Sequence, residues 1–69
     1  MPREIYGQRE VYAQYRAEGY AEFIEYNAAC KILGVAIRTL FRLLQKGKIS
    51  RANGKVSLWS LAGYVASMS

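Results

Sequence analysis

Residues 24 to 49, IEYNAACKILGVAIRTLFRLLQKGKI, carry small or apolar side chains at helical spacing on both sides of Gly34. Ala28, Ala29, Ile32 and Leu33 make one stripe, Ile37, Leu40, Leu43 and Leu44 make another, and Gly34-Val35 separates them. Two short helices joined by a tight turn satisfy that pattern, which is the arrangement of a helix-turn-helix. In the second helix, expected over 37–46, Arg38 and Arg42 stand four residues apart on the side away from the leucines. One face packs inward while the other presents guanidinium groups outward, as suits a helix in the major groove of DNA.

Charge is divided as sharply as hydropathy. All five acidic residues, Glu4, Glu10, Glu18, Glu22 and Glu25, fall in the first 25 positions, where Arg3, Arg9 and Arg16 leave a balance of −2. From Tyr26 onward there are seven basic residues and no acid: Lys31, Arg38, Arg42, Lys46, Lys48, Arg51 and Lys55. A folded stretch without carboxylates has no counter-charge of its own, so a polyanion is its natural counterpart. The plain alternative is a solvated basic face.

Beyond the second helix, Gly47 reads as its stop, with Lys46 and Lys48 beside the negative end of the helix dipole. In ISRANGKVSL, from Ile49 to Leu58, Asn53-Gly54 lies between two alternating runs, a strong short-range hairpin signal. A two-residue turn there sets Ala52 opposite Lys55, Arg51 opposite Val56, Ser50 opposite Ser57 and Ile49 opposite Leu58. Ile49, Val56 and Leu58 then share the core face, with Arg51 on that side near the tip, while Lys48, Ser50, Lys55 and Ser57 share the outer face. Arg51 and Lys55 are candidates for the minor groove or its flanking phosphates, against simple solubility. Trp59 is expected to close the core rather than to stack on a base, and Ser60 to cap a short last helix over 61–65.

Ahead of the motif, Glu22 to Tyr26 alternates and is expected to form a short strand that can pair with the hairpin. Residues 3 to 21 suggest a helix with Pro2 in its first turn, weakened by Gly7 and Gly19. Its tyrosines, Tyr6, Tyr12, Tyr15 and Tyr20, are candidates for docking a protein partner or for packing on the core. A base-stacking platform fits less well, because the accompanying acidic charge repels phosphate. The chain is thus expected to comprise a Tyr-rich, acidic helical extension over 1–22 and a DNA-binding domain over 23–69.

The motif residues also resemble a known family. Glu25-Tyr26-Asn27-Ala28-Ala29-Cys30-Lys31-Ile32-Leu33-Gly34-Val35-Ala36-Ile37-Arg38-Thr39-Leu40, followed by Gly47-Lys48-Ile49, is similar to the signature of excisionase and MerR-type winged helix-turn-helix domains. Glu25 stands where that family has a capping threonine, Ala28 where it has glutamate, Cys30 where it has a second alanine, and Ala36 where it has a capping serine. The resemblance implies a mainly α fold with a small β-hairpin wing, and sequence-specific binding to double-stranded DNA without a cofactor. Arg38 and Arg42 would read bases, flanked by Ile37, Thr39, Phe41, Gln45 and Lys46, with Lys48, Arg51, Asn53 and Lys55 contributing from the wing. It further implies an excisionase, or recombination directionality factor, that binds repeated sites beside copies of itself, bends DNA and assists a tyrosine integrase. A phage transcription regulator with the same binding mode, or an interaction protein docking through the first helix, are the alternatives.

Other classes find little support in the residues. There is no histidine and no glycine-rich phosphate loop, so neither catalysis nor a zinc site is expected. The one cysteine, Cys30, sits at a small-residue position of the first motif helix and is expected to pack rather than react. A hydrophobic content of 52% argues against disorder, yet no apolar run approaches the roughly 18 residues that cross a bilayer. A cytoplasmic, nucleoid-associated protein of a bacterial host is the expectation.

Overall fold

The computed structural model describes residues 6–68. The described residues form four helices, α1 (Gln8–Ala17), α2 (Tyr26–Leu33), α3 (Ile37–Gln45) and α4 (Leu58–Ser67), and three short strands, β1 (Phe23–Ile24), β2 (Arg51–Ala52) and β3 (Lys55–Ser57). The strands form one antiparallel sheet in the order β1-β3-β2. The protein is mainly helical, with this small sheet against one side of the helices.

The break between α2 and α3 falls at Gly34, whose positive φ of 70° ends α2 while Val35 N–H bonds back to the Cys30 carbonyl at 3.1 Å. α3 ends through a second such reversal. Gly47 at φ 74° donates to the Leu44 carbonyl and Lys48 to that of Leu43, at 3.2 and 3.0 Å. This paired closure uses two carbonyls that the helix leaves open and turns the chain so that Ile49 drops into the core, 2% exposed. Lys46 is therefore the cap of α3 and not its last helical residue.

The hairpin follows the alternation in its sequence. Asn53 and Gly54 take φ of 54° and 75°, the double left-handed turn that matches strand twist, and Arg51 pairs with Val56 and Ala52 with Lys55. β1 pairs with the other edge of β3, Phe23 with Ser57 and Ile24 with Val56. The expected pairing of that strand with the hairpin is thus present, though over two residues rather than five. Ile24, Ala29, Leu40, Ile49, Val56, Leu58 and Leu61 make one buried cluster, with Ala28, Cys30, Ile32, Leu33, Leu43 and Leu44 partly buried against it.

Two expectations require correction. The last helix starts at Leu58, three residues before its expected start at Leu61. Ser57 is the N-cap and its hydroxyl accepts from the Ser60 N–H at 3.3 Å, whereas the Ser60 hydroxyl donates to the Ser57 carbonyl at 2.8 Å and accepts from the Ser50 N–H at 3.0 Å. Both serines suit a helix start. The earlier one prevails because Leu58 and Leu61, each fully buried, must lie on one helical face. That geometry turns Trp59 to the outer side, 38% exposed, so it does not close the core as expected.

The first helix is also shorter than the expected 3–21. Gly7 at φ 87° precedes it and Gly19 at φ 101° follows it, so both glycines bound the helix instead of interrupting it. Pro2 lies outside the described residues. α1 lies along α4. Gln8, 6% exposed, donates from Nε2 to the Trp59 carbonyl at 2.9 Å, and Tyr12 meets the Trp59 ring edge-to-face at 5.3 Å. A Cβ on Gly63 would stand 2.7 Å from that Nε2, so the glycine is what lets the amide approach. Tyr12, Tyr15 and Tyr20 are all partly buried against the core, and Tyr15 and Tyr20 meet edge-to-face at 6.2 Å. Burial pushes the Tyr15 phenol above its ordinary range, with Glu18 and Tyr20 acting in the same direction. Of the four tyrosines expected either to dock a partner or to pack on the core, three pack against the core and Tyr6 is open to solvent, 99% exposed.

Candidate nucleic-acid interface

α3 buries one residue, Leu40, and lays Leu43 and Leu44 partly against the core. Because 3.6 residues make a turn, these positions leave Ile37, Arg38, Thr39, Phe41, Arg42 and Gln45 on the open side, and all six are exposed. Lys46 and Lys48 at its end, and Arg51, Asn53 and Lys55 on the hairpin, are exposed as well. Among the described residues no carboxylate comes after Glu25, and the guanidinium groups of Arg38, Arg42 and Arg51 have no ion-pair partner.

Two concavities give this side its relief. One, of about 590 Å³, lies between α3 and β2 and is lined by Arg38, Phe41, Arg42, Leu44, Gln45 and Arg51. The other, of about 450 Å³, runs from the start of α2 to the hairpin turn and is lined by the carboxylate-bearing Glu25 together with Tyr26, Asn27, Ile37, Phe41, Asn53, Gly54 and Lys55. Phe41, 44% exposed, forms the ridge between them and is steadied by an edge-to-face contact with Tyr26 at 5.5 Å. Both helices facing this side start without a side-chain cap, α2 behind Glu25 and α3 behind Ala36. Their first N–H groups are therefore available to an external acceptor.

Comparison with protein-family models, characterised proteins and solved structures finds no match for the chain. The functional reading therefore rests on the residues themselves. Of those singled out in the sequence, Arg38, Phe41, Arg42, Gln45 and Arg51 come together at the first concavity, and Ile37, Phe41, Asn53 and Lys55 at the second. Thr39, Lys46 and Lys48 are exposed but line neither. Tyr26 and Asn27 were missed. Nothing in their local pattern marks them. Among the described residues no group of three or more histidine, cysteine, aspartate or glutamate side chains is placed to hold a metal, and no helix is long and apolar enough to cross a membrane.

Proposed function

We propose that the chain is a sequence-specific double-stranded DNA-binding protein of winged helix-turn-helix type, with α2 and α3 as the paired helices and the β2–β3 hairpin as the wing. The observation that carries this reading is the uncovered side of α3, where arginines and polar side chains stand beside a hairpin that adds further cations, with no carboxylate from Tyr26 onward. Arg38 and Arg42 suit the O6 and N7 edge of guanine, to which a guanidinium donates two parallel hydrogen bonds. Thr39, Gln45 and Lys46 suit phosphate and sugar, and Phe41 suits a thymine methyl. The open N–H groups at the start of α3 suit a phosphate bordering the groove, whereas Glu25 places a carboxylate at the start of α2. The longest dimension, 27 Å, spans about eight base pairs at roughly 3.4 Å each, so one molecule covers a major groove and the start of the adjoining minor groove.

The resemblance to excisionases supplies the process. The chain acts in recombination as a directionality factor, seats on repeated sites beside its own copies and works with a tyrosine integrase. Binding, without catalysis or a cofactor, is the activity. A randomised-site selection followed by salt titration on the selected and a random duplex tests the binding reading. The expected result is a selected-to-random affinity ratio of roughly 10³ or more, with both affinities falling steeply as salt rises. Equal affinity for both duplexes would mean that the cations bind any polyanion and that the reading is wrong.

A further inference from the structure

We infer that Arg51 acts with the arginines of α3 to hold one backbone nucleotide unit in the concavity between α3 and β2, instead of reaching into the minor groove from the hairpin tip. The inference rests on the duplex-binding reading above and assigns this residue a place within it. Register is the first ground. Arg51 pairs with Val56, and directly paired residues project on the same face of a sheet. Val56 is fully buried toward the helices, so Arg51 also points to the helix side, where it remains exposed because it lies beyond the edge of the core. The turn residues Asn53 and Gly54 line the other concavity and not this one.

The lining is the second ground. Arg38, Arg42 and Arg51 contribute three guanidinium groups, each with five N–H donors, together with the amide of Gln45, while Phe41 and Leu44 supply an apolar floor. A phosphodiester is the anion that takes several arginines at once, and the deoxyribose attached to it offers carbon to an apolar floor. The space, about 590 Å³, is an open concavity with room for the sugar along with its phosphate. Arg38 and Arg42 retain donors for base edges while sharing that anion. The hairpin thereby fixes the register of α3 along the groove.

The test is a methylphosphonate scan, in which each phosphate of a selected duplex is replaced in turn by a neutral methylphosphonate. The full chain should lose about tenfold or more in affinity at one phosphate bordering the major groove, the loss expected for a hydrogen-bonded charge pair. Arg51→Gln should lose affinity on unmodified duplex and then show a clearly smaller further loss at that phosphate, which Arg38 and Arg42 still share, while Arg51→Lys recovers part of the affinity. Replacing guanine by inosine removes a minor-groove amino group that hinders an arginine there, so a minor-groove Arg51 would make the Arg51→Gln loss larger on inosine duplex, whereas the inferred phosphate contact leaves it unchanged. A scan without a dominant phosphate overturns the inference, as does an Arg51→Gln loss that grows on inosine duplex. If the chain selects no duplex at all, the inference and the binding reading fall together, whereas selection without phosphate dependence at Arg51 removes the inference alone.

Discussion

α3 and α4 have nearly equal lengths, nine and ten residues, and rest on the same core, but one is covered on a single side and the other on two. α4 buries Leu58, Leu61, Ala62, Gly63 and Ala66, has no charged residue, and carries α1 along its outer side. α3 buries Leu40 alone and presents cations where α4 presents Trp59 and Gly63. An apolar helix is covered from within its own chain because that cover withdraws carbon from water. A helix with a cationic outer face resists such a cover, since desolvating unpaired charges costs several kcal/mol each. In the proposed function the missing cover for α3 is DNA, which brings the counter-charge with it.

The largest expected effect comes from taking the cover off α4. Deleting residues 1–18 removes Gln8, Tyr12 and Tyr15 from contact with the rest of the fold and should destabilise the domain by about 3 kcal/mol or more, on the order of 15 °C in Tm. Thermal melts of the truncated and full chains measure it. An unchanged Tm would return α1 to the status of a detachable extension. On α3 the balance should be reversed. Arg38→Ala and Arg42→Ala should each weaken specific binding by about 1–3 kcal/mol and relax preference at particular base pairs, with Tm essentially unchanged. Variants that melt early but keep wild-type preference in a site selection would show that α3 is a structural helix after all.

Smaller effects sharpen the contrast. Gly54→Val places a β-branched residue at φ 75° and should strain the turn by roughly 1–3 kcal/mol, lowering DNA affinity while the helical far-UV signal persists. Full affinity in this variant would detach the hairpin from the interface. Lys55→Ala should weaken all sequences about equally and reduce the salt slope by roughly one unit, measured as log affinity against log salt. The smallest effect concerns Tyr15. Its phenol is raised above the ordinary value of 10.0, so its contribution is fully present below that value and is lost as pH rises through the folded-state pKa. Alkaline melts should therefore fall more steeply for the wild type than for Tyr15→Phe, and parallel curves would contradict the burial of that ring.

What the sequence revealed about this fold was mostly local. Gly34 and Gly47 ended helices where periodicity stopped, and Asn53-Gly54 set a register that the structure reproduces at Arg51 and Ala52. The outward residues of α3 were legible for the same reason, because a 3.6-residue period separates them from Leu40 without reference to any other element. The start of α4 was not legible. Ser57 and Ser60 are equally good caps, and only the tertiary burial of Leu58 chooses between them. Nor was the packing of α1, since Gly63 reads as a weak point in a helix until Gln8 is known to lie over it. The meeting of Arg51 with Arg38 and Arg42 depends on how the sheet sits on α3, which no spacing along the chain encodes.

The hydrogen bond from Gln8 to Trp59 joins residues 51 positions apart, and this separation sets an order of events in time. A ten-residue helix is shorter than the roughly 12–15 residues at which an isolated helix is even marginal in water, so α1 does not persist by itself. Its support, α4, is made after every other described element. While the chain is being synthesised, α1 is made before its support, and the long loop between the two closes only when α4 is available. The first-made of the described helices is thus the last to be secured.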